Sequence, residues 1–262
     1  MSVVYEPKGK AREYSPLALN VYMGCTHRCE YCYAPNCIHK RKEDYFIHPS
    51  PRKNIVPLLK EELKSATYSK QVMLSFVGDV YCETAPDDYT PREILKLLKV
   101  HSVPVAILTK GGKRCLKDLD MFKSFGEHIH VGVTLTFMDE AKSLEWESGA
   151  ALPEDRLETL RTLKENGVTT FVSFEPVIEP EESIKLIKRT LADDSVDIYK
   201  IGKLNNFRGL DKKINWNDFL RTAVDLIRPS GKKMYIKKDL REAASSVELF
   251  PNEIDSELYC AV

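Results

Sequence analysis

From residue 18 onward the chain alternates strand-like and helix-like segments, and that alternation limits its fold more than any other feature. Residues 18–23 read as a first strand. Residues 54–68 carry Ile55, Leu58, Leu59 and Leu63 at helical spacing. Residues 71–77 form a second strand, 91–100 a helix with Pro91 in its first turn, and 105–108 a third strand. A helix around 116–125, a strand at 129–136 and a helix at 153–166 stopped by Gly167 follow. Then come a strand at 168–174, a helix at 181–191, a strand at 196–201, and a closing helix, strand and helix at 217–227, 233–236 and 239–247. Repeated strand–helix units imply a parallel sheet covered by helices, with right-handed crossovers. Six to seven parallel strands fit an incomplete (β/α) barrel, an α/β fold whose ligand sites form at the C-terminal strand ends. Without a Gly-, Ser- or Pro-rich linker, the 262 residues are expected to form one domain, with a lead at 1–16 and a C-terminal helix and tail at 239–262.

The loop after the first strand carries the chemistry. Cys25, Cys29 and Cys32 are spaced C-x3-C-x2-C, and Cys37 follows five residues later. Three thiolates in one loop can converge on an iron–sulfur centre, and a [4Fe–4S] cube held by three leaves one iron open for a cofactor. A structural zinc site using all four cysteines, or three of them with His27, is an alternative, as is a closed four-cysteine cluster that only carries electrons. Seven cysteines, an odd number and mostly clustered, argue against a disulfide framework and for a reducing cytoplasm. Lys plus Arg and Asp plus Glu are 39 each, so net charge exerts no general pull on nucleic acid. No apolar run reaches membrane-span length, and the first residues lack the form of a secretion signal.

The cysteine spacing, with 17–25 before it and Tyr31-Cys32-Tyr33-Ala34 at its end, resembles the radical S-adenosylmethionine (SAM) superfamily. Within it, the run is most similar to the branch of spore photoproduct lyase and its DNA-photolyase-like relatives. The resemblance implies that SAM chelates the open iron and is reductively cleaved to a 5′-deoxyadenosyl radical that takes hydrogen from a substrate. It also implies an electron donor such as flavodoxin or ferredoxin, and makes a nucleic-acid lesion or base the expected substrate. A peptide or small-molecule substrate stays open.

On the same resemblance, Gly78-Asp79 after the second strand stand where the family receives the SAM ammonium, and Lys110 stands where a lysine meets the SAM carboxylate. Thr134, with Thr136 on the same strand face, aligns with a cofactor-bonding Ser or Thr. Arg156 and Glu147 match a family Glu–Arg pair, although a surface ion pair is the expected use of Glu147. Glu175, before Pro176, is expected to bind ribose hydroxyls or substrate, or to pair with Lys200. Lys237 and Lys238 read as solvated, with contact to an anionic substrate as the alternative. Tyr31 and Tyr33 flank Cys32 where the branch carries tyrosines, one of them implicated in hydrogen-atom transfer; packing around the cluster is the alternative. The branch's hydrogen-donating cysteine has Phe76 in its place here, so Cys82 is the candidate replacement. Cys260 reads as a thiol in a loose tail.

Overall fold

Seven parallel strands lie in one sheet in chain order: β1 Leu17–Ala18, β2 Val72–Leu74, β3 Val105–Thr109, β4 Ile129–Thr134, β5 Thr169–Val177, β6 Ile198–Lys203 and β7 Lys233–Ile236. The computed structural model describes residues 2–47, 49–205 and 207–262, so Met1 of the expected N-terminal lead lies outside the described residues. The helices are α1 Ala34–Cys37, α2 Lys42–Ile47, α3 Ile55–Glu62, α4 Thr90–Val100, α5 Leu119–Phe125, α6 Glu140–Trp146, α7 Pro153–Glu165, α8 Pro180–Ala192, α9 Trp216–Ile227 and α10 Lys238–Ala243. Prolines in the first turns of α4, α7 and α8 occupy positions whose N–H has no helical partner.

Strand periodicity sorts the side chains onto two faces. Val72, Leu74, Val105, Ile107, Ile129 and Val131 point outward into an apolar layer shared with Leu59, Ile94, Leu98 and Phe122. Val133, Val172, Phe174, Ile201 and Ile236 do the same against Leu157, Leu160, Leu186, Leu220 and Val224. The alternate residues Ala18, Met73, Ala106, Phe171, Ile198 and Tyr235 fill the concave inner face. The register sets Thr134 beside Ser173, Ser173 beside Lys200 and Lys200 beside Tyr235, which places a polar tier inside the barrel.

Two segments occupy the open side between β1 and β7. Tyr5 pairs antiparallel with Ala18, Lys10 bonds Asp239 at 2.7 Å, and the Glu13 carboxylate accepts from Tyr235 Oη at 2.6 Å and Lys238 N–H at 2.9 Å. The C-terminal tail tucks under the base: Ala261 N–H donates to Gln71 Oε1 at 2.7 Å, and Tyr259 is buried. The tail with Cys260 is therefore docked rather than loose.

The expected barrel is present, with shifted boundaries. β1 and β2 stop early because side chains replace their ladder. Asn20 Oδ1 accepts from the N–H groups of Phe76 and Val77 at 2.9 Å, and Ser75 Oγ accepts from Val21 N–H at 3.1 Å. The helix expected at 54–68 ends at Glu62, whose carboxylate instead anchors Val3 and Val4 N–H. Helices α1, α2 and α6 are additions that periodicity did not reveal, being short.

Lys200 sits 3% exposed on the inner face, over the Phe171 ring at 5.4 Å and near Lys237, with its Nζ donating to the Tyr14 carbonyl at 3.3 Å. Burial, against the help of Cys260 and reinforced by Lys237, lowers its pKa to about 8. The folded chain thus disfavours the ammonium, at a cost near pH 7 of about 3 kcal/mol for a shift from 10.5 to about 8. Because the unfolded chain holds this proton up to its ordinary value, wild-type stability recovers as pH rises from 8 towards 10.5. Lys200→Met should raise the melting temperature at pH 7, with the gain shrinking above pH 10 in a calorimetric pH series.

Candidate cofactor site

The cysteine loop is positioned by backbone contacts on three sides. Cys25 N–H donates to the Tyr45 carbonyl at 3.2 Å, Glu30 N–H to the Trp146 carbonyl at 2.9 Å, and Cys29 bridges to the backbone of Glu147. Gly149 exchanges bonds with His27 and lies so close that a Cβ there would stand 1.9 Å from the Thr26 carbonyl oxygen. Gly78 has φ +81, and a Cβ would fall 2.6 Å from the Gly24 carbonyl. Both positions need glycine because backbone passes against backbone.

Asp79 fixes the ends of β2 and β3 against this loop. Its carboxylate accepts from His27 Nε2 at 2.9 Å, Tyr81 N–H at 2.8 Å, Thr109 Oγ1 at 2.7 Å and Lys110 N–H at 2.7 Å. Burial alone would raise its pKa, but the His27 contact and these donors hold it well below the carboxylate range. Four donors saturate Asp79. It organises the loop, and any direct hold on a cofactor ammonium falls to neighbouring backbone.

A second knot joins β4, α6 and α7 to the cysteines. Arg156 and Glu147, each 1% exposed, meet at 2.6 Å between Nη2 and Oε2. Arg156 also donates through Nη1 to the Thr134 carbonyl at 3.0 Å and through Nε to the Ala151 carbonyl at 2.7 Å. Glu147 Oε1 accepts from Thr136 Oγ1 at 2.7 Å and from the Tyr31 hydroxyl. Burial pushes Glu147 up, yet Arg156 and then Lys110 pull it down to about 2. The surface role expected for Glu147 is wrong: α6 ends at Trp146 and turns the carboxylate inward. Nη2 and Oε2 touch without hydrogen-bond alignment, so both keep unused bonding capacity beside the cysteine loop.

Lys110 stands between these groups. Its Nζ lies 5.5 Å over the Tyr31 ring, and among the described residues no carboxylate comes within ion-pair distance of it. Burial works against its charge, while Cys29 and Glu147 outweigh burial and raise its pKa above the ordinary value. A charged, half-buried lysine with no dedicated anion is suited to an anionic ligand.

Across the barrel, Glu175 does not meet Lys200. Its Oε2 accepts from Lys237 Nζ at 2.7 Å and Tyr14 Oη at 2.7 Å, and Tyr14 Oη also lies 2.6 Å from Ser173 Oγ. Lys237 is 2% exposed and lies 4.6 Å over the Tyr14 ring, so it is not a solvated lysine; Lys238 is exposed. Gly202 leaves the room for this pair, since a Cβ would sit 2.9 Å from Glu175 Cδ. Tyr14 was invisible to sequence reasoning, because its role depends on partners about 160 residues away.

The structure thus gathers Cys25, Cys29, Cys32, Tyr31, Gly78, Asp79, Lys110, Thr134 and Arg156 at one side of the strand ends, and leaves Glu175 on the opposite wall. Tyr33 is exposed, its hydroxyl donating to the Phe76 carbonyl at 2.8 Å. Cys37 is exposed at the end of α1. Among the described residues no three His, Cys, Asp or Glu side chains converge on a single ion-sized point. Cysteines that each serve a different iron of a cube need no such point. Burial lifts Cys29 to about 12 although Lys110 opposes it. The donor set, the free lysine and the unaligned Arg156–Glu147 atoms fit a cluster with an adjacent zwitterionic ligand.

The family model described as the radical SAM superfamily matches residues 19–193. Uncharacterized protein ORF301 of Acidianus two-tailed virus is 30% identical over 215 residues, covering 74% of this chain and 68% of its own. Uncharacterized protein MJ0683 of Methanocaldococcus jannaschii is 30% identical over 162 residues, covering 61% and 60%. Among solved structures, Streptococcus suis SuiB bound to S-adenosylmethionine superposes with a TM-score of 0.59 at 13% identity, covering 89% of this chain and 53% of SuiB. A spore photoproduct lyase mutant with bound AdoMet and dinucleoside spore photoproduct gives 0.58 at 10% identity, covering 84% and 63%. The chain belongs to the radical SAM superfamily, a class of enzymes that work with SAM and a [4Fe–4S] cluster. It shares their incomplete barrel and spans between half and two thirds of the length of these two solved neighbours.

Glu147→Gln leaves the Arg156 charge buried without its partner, and should destabilise by about 3–5 kcal/mol in urea unfolding at pH 7. The Glu147 contribution is complete above its ordinary value of 4.5 and is lost as pH falls towards about 2. The gap between variant and wild type should therefore close in acid. A gap under about 1 kcal/mol at pH 7 would mean that the pair is not buried.

Proposed function

We propose that this protein reductively cleaves SAM at a cluster on Cys25, Cys29 and Cys32 and uses the adenosyl fragment to abstract hydrogen from a nucleic-acid lesion or base. The observation that carries the SAM half is Lys110: a cation beside Cys29 and over Tyr31 with no carboxylate at ion-pair distance among the described residues. When bound, the cluster and SAM supply one electron and a hydrogen-abstracting adenosyl group. Lys110 holds the carboxylate of the ligand. Backbone around Gly78, kept in place by Asp79, receives its ammonium. Thr134 and Thr136 line the inner face beside it, and Arg156 with Glu147 keeps that face in register with the cysteine loop. Tyr33, exposed and with its hydroxyl donating to the Phe76 carbonyl, is the tyrosine assigned to hydrogen-atom transfer in this reading. The Tyr31 hydroxyl is committed to Glu147. Glu175, with Lys237 and Tyr14, forms the substrate wall.

Support for nucleic acid comes from the motif resemblance and from the fold shared with spore photoproduct lyase. SuiB, solved with a precursor peptide, shares the fold equally well. The surface basic groups add little, since Arg41 pairs with Asp44 at 2.8 Å, Lys42 bonds the Glu30 carbonyl at 3.0 Å and Lys113 pairs with Glu158. A flavodoxin- or ferredoxin-type donor, a single domain over 1–262 and a cytoplasmic setting belong to the same reading. No helix among the described residues is long and apolar enough to cross a membrane.

Anaerobic reconstitution should give about four irons per chain and release 5′-deoxyadenosine from SAM with dithionite. Lys110→Ala should keep the iron while weakening SAM binding by about 10- to 100-fold, the value of a charge-assisted bond. Unchanged affinity would remove Lys110 from the site. Salt-dependent binding of a single-stranded oligonucleotide, read by fluorescence anisotropy, tests the substrate half; no binding at low salt would turn the proposal towards peptide.

A further inference from the structure

Phe76 lies just past the end of β2 and packs on the inner-face group of Met73, Ala106, Phe171 and Tyr235. Those four are buried, whereas Phe76, with Tyr5 and Leu108, keeps part of its surface open. Its backbone is fixed on both sides. Its N–H donates to Asn20 Oδ1 at 2.9 Å, and its carbonyl accepts from Tyr33 Oη at 2.8 Å. Cys82, in the turn that follows, is 4% exposed with its N–H donating to the Asp79 carbonyl at 3.3 Å, and it offers no open thiol here.

Tyr14 joins Phe76 to Glu175. Its ring meets Phe76 edge to face with centroids 6.4 Å apart, and its hydroxyl donates to Glu175 Oε2 at 2.7 Å. One tyrosine side chain thereby sets the spacing between an apolar ring and a carboxylate. That carboxylate is held at one oxygen only. Oε2 takes Tyr14 and Lys237, while among the described residues nothing donates to Oε1. The Glu175 side chain stays 17% exposed although Tyr14, Ser173 and Lys237 are buried around it. An extended peptide would ask for a free strand edge, and on the β1 side Tyr5 already pairs with Ala18 in both directions, at 3.0 and 2.9 Å.

We propose that Phe76 and Glu175 form a subsite for one unpaired nucleobase, which stacks on the Phe76 ring and donates an N–H to Glu175 Oε1. A base offers both features at once: a π face for the ring and in-plane N–H groups for the acceptor. A bond to an ionised carboxylate is stronger than a neutral one, and the ion pair with Lys237 keeps that charge in place. The ring supplies affinity for any base, and the carboxylate selects for an N–H donor. The inference rests on the nucleic-acid half of the proposed function and names the side chains that would read the base.

The test measures fluorescence anisotropy on anaerobically reconstituted protein with single-stranded probes of equal length and charge: oligothymidylate, the same strand built from N3-methylthymidine, and an abasic strand. Wild type should prefer oligothymidylate to each of the other two by about tenfold or more, the value of one stacked base or one charge-assisted bond. Phe76→Leu, which keeps apolar bulk without a π face, should lose the preference over the abasic strand, and Phe76→Trp should restore it. Glu175→Leu combined with Lys237→Met removes both charges together, so that no lone charge is left buried. It should erase the preference over N3-methylthymidine and keep the preference over the abasic strand. Equal binding of oligothymidylate and either other probe by wild type overturns the proposal, a comparison that needs no variant to fold. So does a Phe76→Leu protein with wild-type preferences. Equal binding of all the probes leaves nucleic acid held by its backbone and strikes the subsite alone. A wild type that binds none of them at low salt fails the nucleic-acid reading itself and this inference with it.

Discussion

The buried contact between Arg156 and Glu147 is the constraint on which the site depends. One guanidinium binds the carbonyl at the end of β4, the turn before α7 and a carboxylate whose backbone bridges to Cys29. Three segments separate in sequence thereby share one position. Two charges at this depth are expensive to desolvate, and breaking only one of them is worse than lacking both. Hydrogen bonds from Tyr31 and Thr136 to Oε1 offset part of that cost. The loop that must present three sulfurs is thus held by groups with strict geometric demands, whereas apolar packing alone would permit slippage.

Asp79 plays the matching part at β2 and β3, where it is saturated by His27, Tyr81, Thr109 and Lys110. The two acids occupy motif positions and are occupied by protein donors. What remains for a ligand is the Lys110 ammonium, backbone near Gly78, the threonine face of β4 and the unaligned Arg156 and Glu147 atoms. The opposite wall has its own logic: Tyr14 enters from the N-terminal lead and completes Glu175 and Lys237. The lead is therefore part of the barrel interior, and a ligand entering between β1 and β7 would have to pass it.

The barrel was legible because alternation of apolar periods survives without knowledge of partners, and β7 at 233–236 coincides with its expected range. The boundaries of β1 and β2 were not, since Asn20 and Ser75 end the ladder through bonds to residues about 55 positions away. Glu147 looked like a surface acid because nothing local announces that α6 will turn it inward. Lys237 looked solvated for the same reason, its carboxylate partner lying 62 residues earlier.

The sequence by itself determined the cysteine spacing, the order of strands and helices and hence the end of the sheet at which chemistry resides, because these depend on local periodicity and chain connectivity. Tertiary structure alone decided which charges are spent on one another and which stay free. Asp79, Glu147 and Glu175 are engaged, and Lys110 is left without a carboxylate partner among the described residues. Pairing between buried groups is set by three-dimensional distance and desolvation, and neither is written in the spacing of residues along a chain.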